Sequence, residues 1–150
     1  MLLCDRLCYN IDILTFRKEV TAVKNINVVA AIIKDKDKIF ITKRSYGEFI
    51  NMWEFPGGKI EPNESKEDAL IREIKEELEL DIKISSFLTT VEYDYPNFHL
   101  TMHCYICHIN GGVLHLNAHN DAKWSNINDL KNVTWVPADL LVIEELKRLN

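Results

Sequence analysis

Apolar residues change their rhythm several times along this chain, and each change predicts a different element. Asn27 to Lys34 (NVVAAIIK) is a nearly unbroken apolar run rich in β-branched residues, as a buried strand would be. Asp35-Lys36-Asp37 turns the chain into Lys38 to Lys43 (KIFITK), which alternates as a half-buried strand does. The two predict a hairpin. From Lys66 the period becomes helical. Leu70, Ile71, Ile74 and Leu78 fall within roughly 100° of arc at ~100° per residue and form the expected core face. Ser65 with Asp68 three residues on has the spacing of a capping box, which starts this helix and takes it to about Leu78.

Further strands are expected from Ile82 to about Asp94 and from Phe98 to Ile109, broken at Pro96-Asn97. Asn110-Gly111-Gly112 predicts another turn into a short strand, and Lys123-Trp124 a last strand before a short helix near Asn126. Asp139 to Leu149 sets Val142, Leu146 and Leu149 at helical spacing, a closing amphipathic helix. Strands mixed with two principal helices predict an α+β domain, a mixed sheet covered on both sides. Residues 1–24 carry no comparable pattern and are read as an N-terminal extension to a domain over residues 25–150.

Charge alters this picture in one place only. The 150 residues carry a formal −5, yet Glu61 to Asp81 alone carries −6 and the rest of the chain +1. No basic face is visible, which argues against a duplex nucleic-acid partner. The N-terminus is apolar but broken by Asp5, Arg6 and Asp12, so neither a signal peptide nor a membrane span is expected. A cytoplasmic protein with its four cysteines reduced follows from that.

Glu73, Glu76 and Glu77 occupy the arc beside the apolar stripe, where like charges repel by a few tenths (~0.2–0.5) of a kcal/mol per pair. Arg72 and Lys75 are expected to lie away from that arc. The helix dipole gives no relief, because these acids sit in the later turns. Two readings remain open on spacing: a solvated acidic face, or a seat for a hard divalent cation such as Mg²⁺ or Mn²⁺.

The wider stretch, GGKIEPNESKEDALIREIKEELEL, resembles the signature of the Nudix hydrolases. Gly58, Glu64, Arg72, Glu73, Ile74, Glu76, Glu77 and Leu80 fall in register with it. IFITKRS, WEFPGGKIE and VPADLLVIEEL extend the likeness from about Asn27 to Leu149, toward MutT-type nucleotide-sanitising enzymes and their cytidine-nucleotide-hydrolysing relatives. The resemblance implies the Nudix α/β/α sandwich and hydrolysis of a nucleoside triphosphate to monophosphate and pyrophosphate. Oxidised guanine or modified cytosine nucleotides are the leading substrates. It implies Mg²⁺, with Mn²⁺ as the other candidate, held by Glu73, Glu76, Glu77 and the Gly57 carbonyl. Arg72 would orient Glu73, and Glu64 would support the loop–helix geometry. Arg44 would contact phosphate, Phe55 would wall the base pocket, and Asp139 would read the base.

Each of the last three has a plainer alternative: an exposed strand-end charge for Arg44, simple core for Phe55, and an N-cap or first-turn acid of the closing helix for Asp139. Three departures from the pattern also matter. Glu79 stands where the family has a helix-ending glycine, implying another kind of helix end or strain on the order of 1 kcal/mol. Ala118 stands where MutT-like enzymes carry a further glutamate, with Asn117, His119 and Asp121 as neighbours able to replace it. Phe98 stands at the place of a substrate-gripping arginine.

Ala118 keeps open a nucleotide-binding regulator that has lost catalysis. Another nucleoside diphosphate derivative is the alternative substrate, and assembly stays open between monomer and homodimer. HCYICH (residues 103–108) looks like a metal knuckle, but a strand sends Cys104 and Cys107 to opposite faces, so buried positions are expected. Cys4 and Cys8 lack a second ligand pair, and Trp53, Trp124 and Trp135 are read as core or pocket walls.

Overall fold

The computed structural model describes residues 22–150, so most of the expected N-terminal extension, with Cys4 and Cys8, lies outside the described residues. In chain order the elements are β1 (Lys24–Asp35), β2 (Lys38–Arg44), β3 (Trp53–Glu54), β4 (Gly57–Lys59), α1 (Lys66–Leu78), β5 (Leu80–Tyr95), β6 (Phe98–Gly112), β7 (His119–Asn126) and α2 (Pro137–Arg148). A six-residue 3₁₀ turn, Ile127–Asn132, links β7 toward α2. None of the helices described is long and apolar enough to cross a membrane.

β1 explains its own sequence. Val29, Ala31 and Ile33 pack with Ala69, Leu70, Ile74 and Leu78 of α1 on one side of the sheet. Ala30 and Ile32 pack with Ala138, Val142, Ile143 and Leu146 of α2 on the other. A strand covered on both faces has no polar side to show, hence the unbroken apolar run. β6 runs parallel to β1 from Lys24 to Ile33, and β5 pairs antiparallel with β6 through a hairpin turning at Pro96-Asn97. Cys104 and Cys107 are buried, one in each of the two cores, as their strand spacing requires. Burial pushes both thiols up, Cys107 to about 12.

The β1–β2 hairpin exists only at its closed end. The two strands pair at Lys34–Ile39 and Asp35–Lys38 and then part. β4 takes the vacated edge of β1 over Val28–Ala30, and β3 takes the vacated edge of β2 over Thr42–Lys43. β7 holds the opposite edge of β2 along its whole length. The segment Trp53–Lys59 is therefore wedged into the fork between two diverging strands.

Several expectations change. Ile71 is 44% exposed, while Ala69 is buried and Glu73 and Glu77 are half-buried. The inward face of α1 is thus rotated toward its acids, since Ala69, Glu73 and Glu77 share the arc adjoining Leu70 and Ile74. Ser65 caps the helix by accepting from the Asp68 amide at 3.0 Å. No turn forms at Asn110-Gly111-Gly112. β6 continues through it to pair Gly111 with Asp81 and Gly112 with Leu80, and the next strand is β7. The glycine is needed there, because a Cβ on Gly112 would lie 2.4 Å from the Glu79 carbonyl oxygen. The closing helix starts two residues earlier than expected, at Pro137, with Val136 as its N-cap and Asp139 as an acid of its first turn. Trp124 is 37% exposed, its ring tilted against Phe40, whereas Trp53 and Trp135 are core.

Glu79 ends α1 in the left-handed region (φ 57°, ψ 25°), its amide donating to the Lys75 carbonyl at 3.0 Å. The helix keeps the backbone that a glycine would adopt and accepts the strain of a side chain there. Its contact with His115 at 3.7 Å is half exposed and weak. Glu79→Gly is expected to raise the unfolding free energy by about 1 kcal/mol, read by urea denaturation, with activity unchanged.

Candidate active site

The fork between β1 and β2 opens onto a cavity of about 660 Å³. Glu73 and Glu77 come to its wall from α1, Gly57 and Gly58 from β4, and Arg44 and Glu54 from β2 and β3. Phe55, Asp139, Ala118 and His119 also line it. Sequence positions spread over nearly a hundred residues therefore meet in one place. Glu76 is not part of the lining; its side chain is 61% exposed on the rim.

The two glycines are dictated by neighbours. A Cβ at Gly57 would stand 1.9 Å from the Val29 carbonyl oxygen, inside the β1–β4 pairing. A Cβ at Gly58 would stand 2.2 Å from the Glu73 carboxyl carbon. The backbone at Gly58 is thus pressed against the carboxylate, and neither position requires a positive φ.

Arg72 does not lie away from the acids; this expectation is corrected. Its guanidinium grips Glu64 with two bonds, Nε to Oε2 at 2.7 Å and Nη2 to Oε1 at 2.8 Å. Nη1 donates to Glu73 Oε1 at 2.8 Å and to Glu76 Oε2 at 3.3 Å, and Nη2 donates to the Lys59 carbonyl at 3.0 Å. A long side chain reaches a neighbour four positions on, which spacing of Cα atoms alone understates. The paired arginine holds the Glu64 carboxyl down to about 2. Glu64 also accepts from the Glu61 amide at 3.0 Å, bracing the loop before α1.

Glu77 receives none of this relief. Its Oε2 is buried with no hydrogen-bond donor among the described residues. Burial, followed by the charges of Glu73 and Glu54, pushes its carboxyl up to about 8. Burial also raises Glu73, with Arg72 opposing it. Loop residues 113–118 fasten the end of α1: the amides of His115 and Asn117 donate to the carbonyls of Leu78 and Glu77, each at 3.0 Å, and Asn117 Nδ2 donates to the Glu76 carbonyl at 2.9 Å. The same loop delivers His119 beside Glu77, with Nε2 at 3.9 Å from Oε2. Of the three residues able to replace a glutamate at 118, His119 is the one in the cavity. Asn117 serves the helix end and Asp121 bonds its neighbouring amide, Ala122, on the surface.

Glu54 is the residue that motif reasoning missed. Its Oε2 accepts from Arg44 Nη1 at 2.8 Å and its Oε1 lies 3.3 Å from His119 Nε2. An acid between two aromatics in a buried strand, Trp53-Glu54-Phe55, was the available signal. Arg44 is no exposed strand-end charge: it is paired with Glu54, packs over the Tyr46 ring and lines the cavity.

Phe55 is both core and cavity lining, its ring 4.9 Å from that of Trp135. Its amide donates to Asp139 Oδ1 at 2.8 Å. Asp139 is buried, and desolvation, with Glu54 adding to it, holds its carboxyl well above the usual range. Tyr95 accepts from the Ala138 amide at 3.0 Å and stacks with Phe98, so Phe98 supplies aromatic wall where an arginine was the family's pattern.

The donors suit a hard cation: carboxylate oxygens, one of them buried and unpartnered, beside a glycine backbone with no room for side chains. Among the described residues, no three His, Cys, Asp or Glu side chains converge closely enough to enclose an ion alone. Backbone, substrate and water oxygens would complete such a shell, as is usual for Mg²⁺.

The chain belongs to the Nudix hydrolase family: the NUDIX domain profile matches residues 23–148. It is 32% identical over 128 residues to the 8-oxo-dGTP diphosphatase of Escherichia coli K12, covering 84% of this chain and 99% of that one. It is 30% identical over 127 residues to the CTP pyrophosphohydrolase of the same organism, covering 84% and 94%. Among solved structures, the E. coli ORF135 protein superposes with a TM-score of 0.74 at 30% identity, over 85% of this chain and 91% of that one.

Proposed function

We propose that this chain hydrolyses free nucleoside triphosphates to monophosphate and pyrophosphate with Mg²⁺ or Mn²⁺, removing modified nucleotides from the pool. The observation that carries the reading is Glu77: a buried carboxylate oxygen without a donor, among other acids, in a cavity large enough for a nucleotide. Glu73 and Glu77, with the Gly57 carbonyl and Glu76 from the rim, would hold the cation. When bound, it would neutralise phosphate charge as water attacks phosphorus.

The chain's own residues do the rest. Arg72 fixes the Glu73 carboxylate, so that its orientation is set before substrate arrives. Glu64 locks Arg72 in turn. Arg44 places a positive charge at the cavity for phosphate. Phe55, Tyr95 and Phe98 give the base an aromatic enclosure with few polar groups.

Asp139 reads the base. Burial raises its carboxyl, and in the protonated form its free oxygen would donate to a carbonyl of a guanine, including the one that oxidation adds at C8. This favours oxidised guanine nucleotides, in keeping with the relative named 8-oxo-dGTP diphosphatase. Ionised, it would accept from an exocyclic amine, and the relative named CTP pyrophosphohydrolase supports that second reading. Pyrophosphate release should be compared across 8-oxo-dGTP, dGTP, CTP, dCTP and 5-methyl-dCTP, then repeated with Asp139→Asn. We expect the amide, which can still donate, to keep guanine turnover and reorder the remaining substrates. An unchanged ranking would remove Asp139 from base recognition, and no release from any nucleotide would sink the pyrophosphohydrolase reading.

A further inference from the structure

Two carboxylates from different elements, Glu54 of β3 and Glu77 of α1, share one edge of one imidazole. His119 is buried, its side chain 2% exposed, and only Nε2 is engaged: 3.3 Å from Glu54 Oε1 and 3.9 Å from Glu77 Oε2. Nδ1 is buried with no partner among the described residues. Glu54 is paired with Arg44 through its other oxygen, which leaves Oε1 to accept from the imidazole. An Nε2–H donating to that oxygen leaves the Nδ1 lone pair free. The reverse arrangement, with Nε2 giving its lone pair to a cation, would strand an N–H at Nδ1 without acceptor. A buried N–H without a partner is rarer in proteins than an under-satisfied acceptor. Metal-ligating histidines ordinarily give that second N–H a partner, and none exists here.

We propose that His119 is a positioning residue whose Nε2–H, with Arg44 on the other side, holds the Glu54 carboxylate beside Glu77. The site then presents acids from two walls, β3 as well as α1, to the cation that accompanies a polyphosphate. This rests on the reading of the site given above. It adds Glu54 to the acidic set, and it assigns His119 to support, not to ligation.

The test is a double-mutant cycle in the full chain, with His119→Leu, Glu54→Gln and the pair. Two quantities are read: kcat and KM for pyrophosphate release, and Mn²⁺ binding followed by electron paramagnetic resonance without nucleotide. His119→Leu should lower kcat by about 100-fold with KM little changed, the scale of a misplaced group. The double variant should be no worse than Glu54→Gln alone in either quantity. His119→Gln, which keeps an amide donor, should recover most of the loss. Should the leucine variant not fold, His119→Asn, whose amide is too short to reach Glu54, takes its place. Losses that multiply in the double variant overturn the proposal. So does loss of Mn²⁺ binding in both His119→Leu and His119→Gln, which would make the imidazole itself a ligand. If the wild type releases no pyrophosphate, the functional reading fails by itself, because the Mn²⁺ titrations still report the coupling.

Discussion

Glu77→Gln is expected to lower kcat by about a thousandfold or more, roughly 4 kcal/mol of barrier, while the protein stays folded. The glutamine is isosteric and removes only the charge that a cation would neutralise. Without added metal the variant should be at least as stable as the wild type, because Glu77 is a buried acid whose Oε2 has no donor. The pH dependence gives a second readout. The folded carboxyl keeps its proton to about 8, whereas an unfolded one releases it near 4.5. Across that window the native state binds more protons, so metal-free stability falls as pH rises from about 5 to 8. Glu73 and Asp139 are raised as well and act in the same direction. Thermal unfolding at pH 5 and 8 with EDTA should show a shallower decline in the glutamine variant, and Mg²⁺ should flatten the wild-type slope. A variant that retains most activity, or an unchanged slope, contradicts the assignment of Glu77.

The adjacent glycines should fail in different ways when each is changed to alanine. At Gly57 the new methyl meets the Val29 backbone, which cannot move without opening the β1–β4 pairing. Gly57→Ala is expected to cost about 3 kcal/mol of stability and activity with it. At Gly58 the methyl meets only the Glu73 carboxyl end, a side chain that can swing aside. Gly58→Ala should unfold within a few degrees of wild type yet lose about 100-fold in kcat, because Glu73 is displaced from Arg72. Chemical denaturation and pyrophosphate release on both variants separate the two. Equal stability losses would mean that Gly58 serves the backbone, not the carboxylate.

The apolar periods announced most of this architecture in advance. β1 could be read as buried because β-branched and small apolar residues follow one another without a polar face, and α1 because Ser65 and the Leu70–Ile74–Leu78 stripe mark its start and its side. The signature from Gly58 to Leu80 placed the chemistry on that helix. Ile71 was misjudged because periodicity alone centres a helix on its apolar stripe; the fold turns the stripe aside to bring Glu73 and Glu77 inward. Arg72 was misjudged because helical angle describes where a side chain begins, not where a guanidinium ends. The turn expected at Asn110-Gly111-Gly112 was a local reading of two glycines whose reason is distant, the close approach of the Glu79 carbonyl.

Local sequence by itself determined most of the longer strands and both helices, where α1 begins, and which three acids ride on it, since capping and side-chain period act within a few residues. Only the tertiary structure decided that β1 and β2 would part to admit Trp53–Lys59, and that His119 and Glu54 would meet Glu77. Those depend on strand pairing between residues far apart in the chain, and pairing energy has no signature at either partner alone.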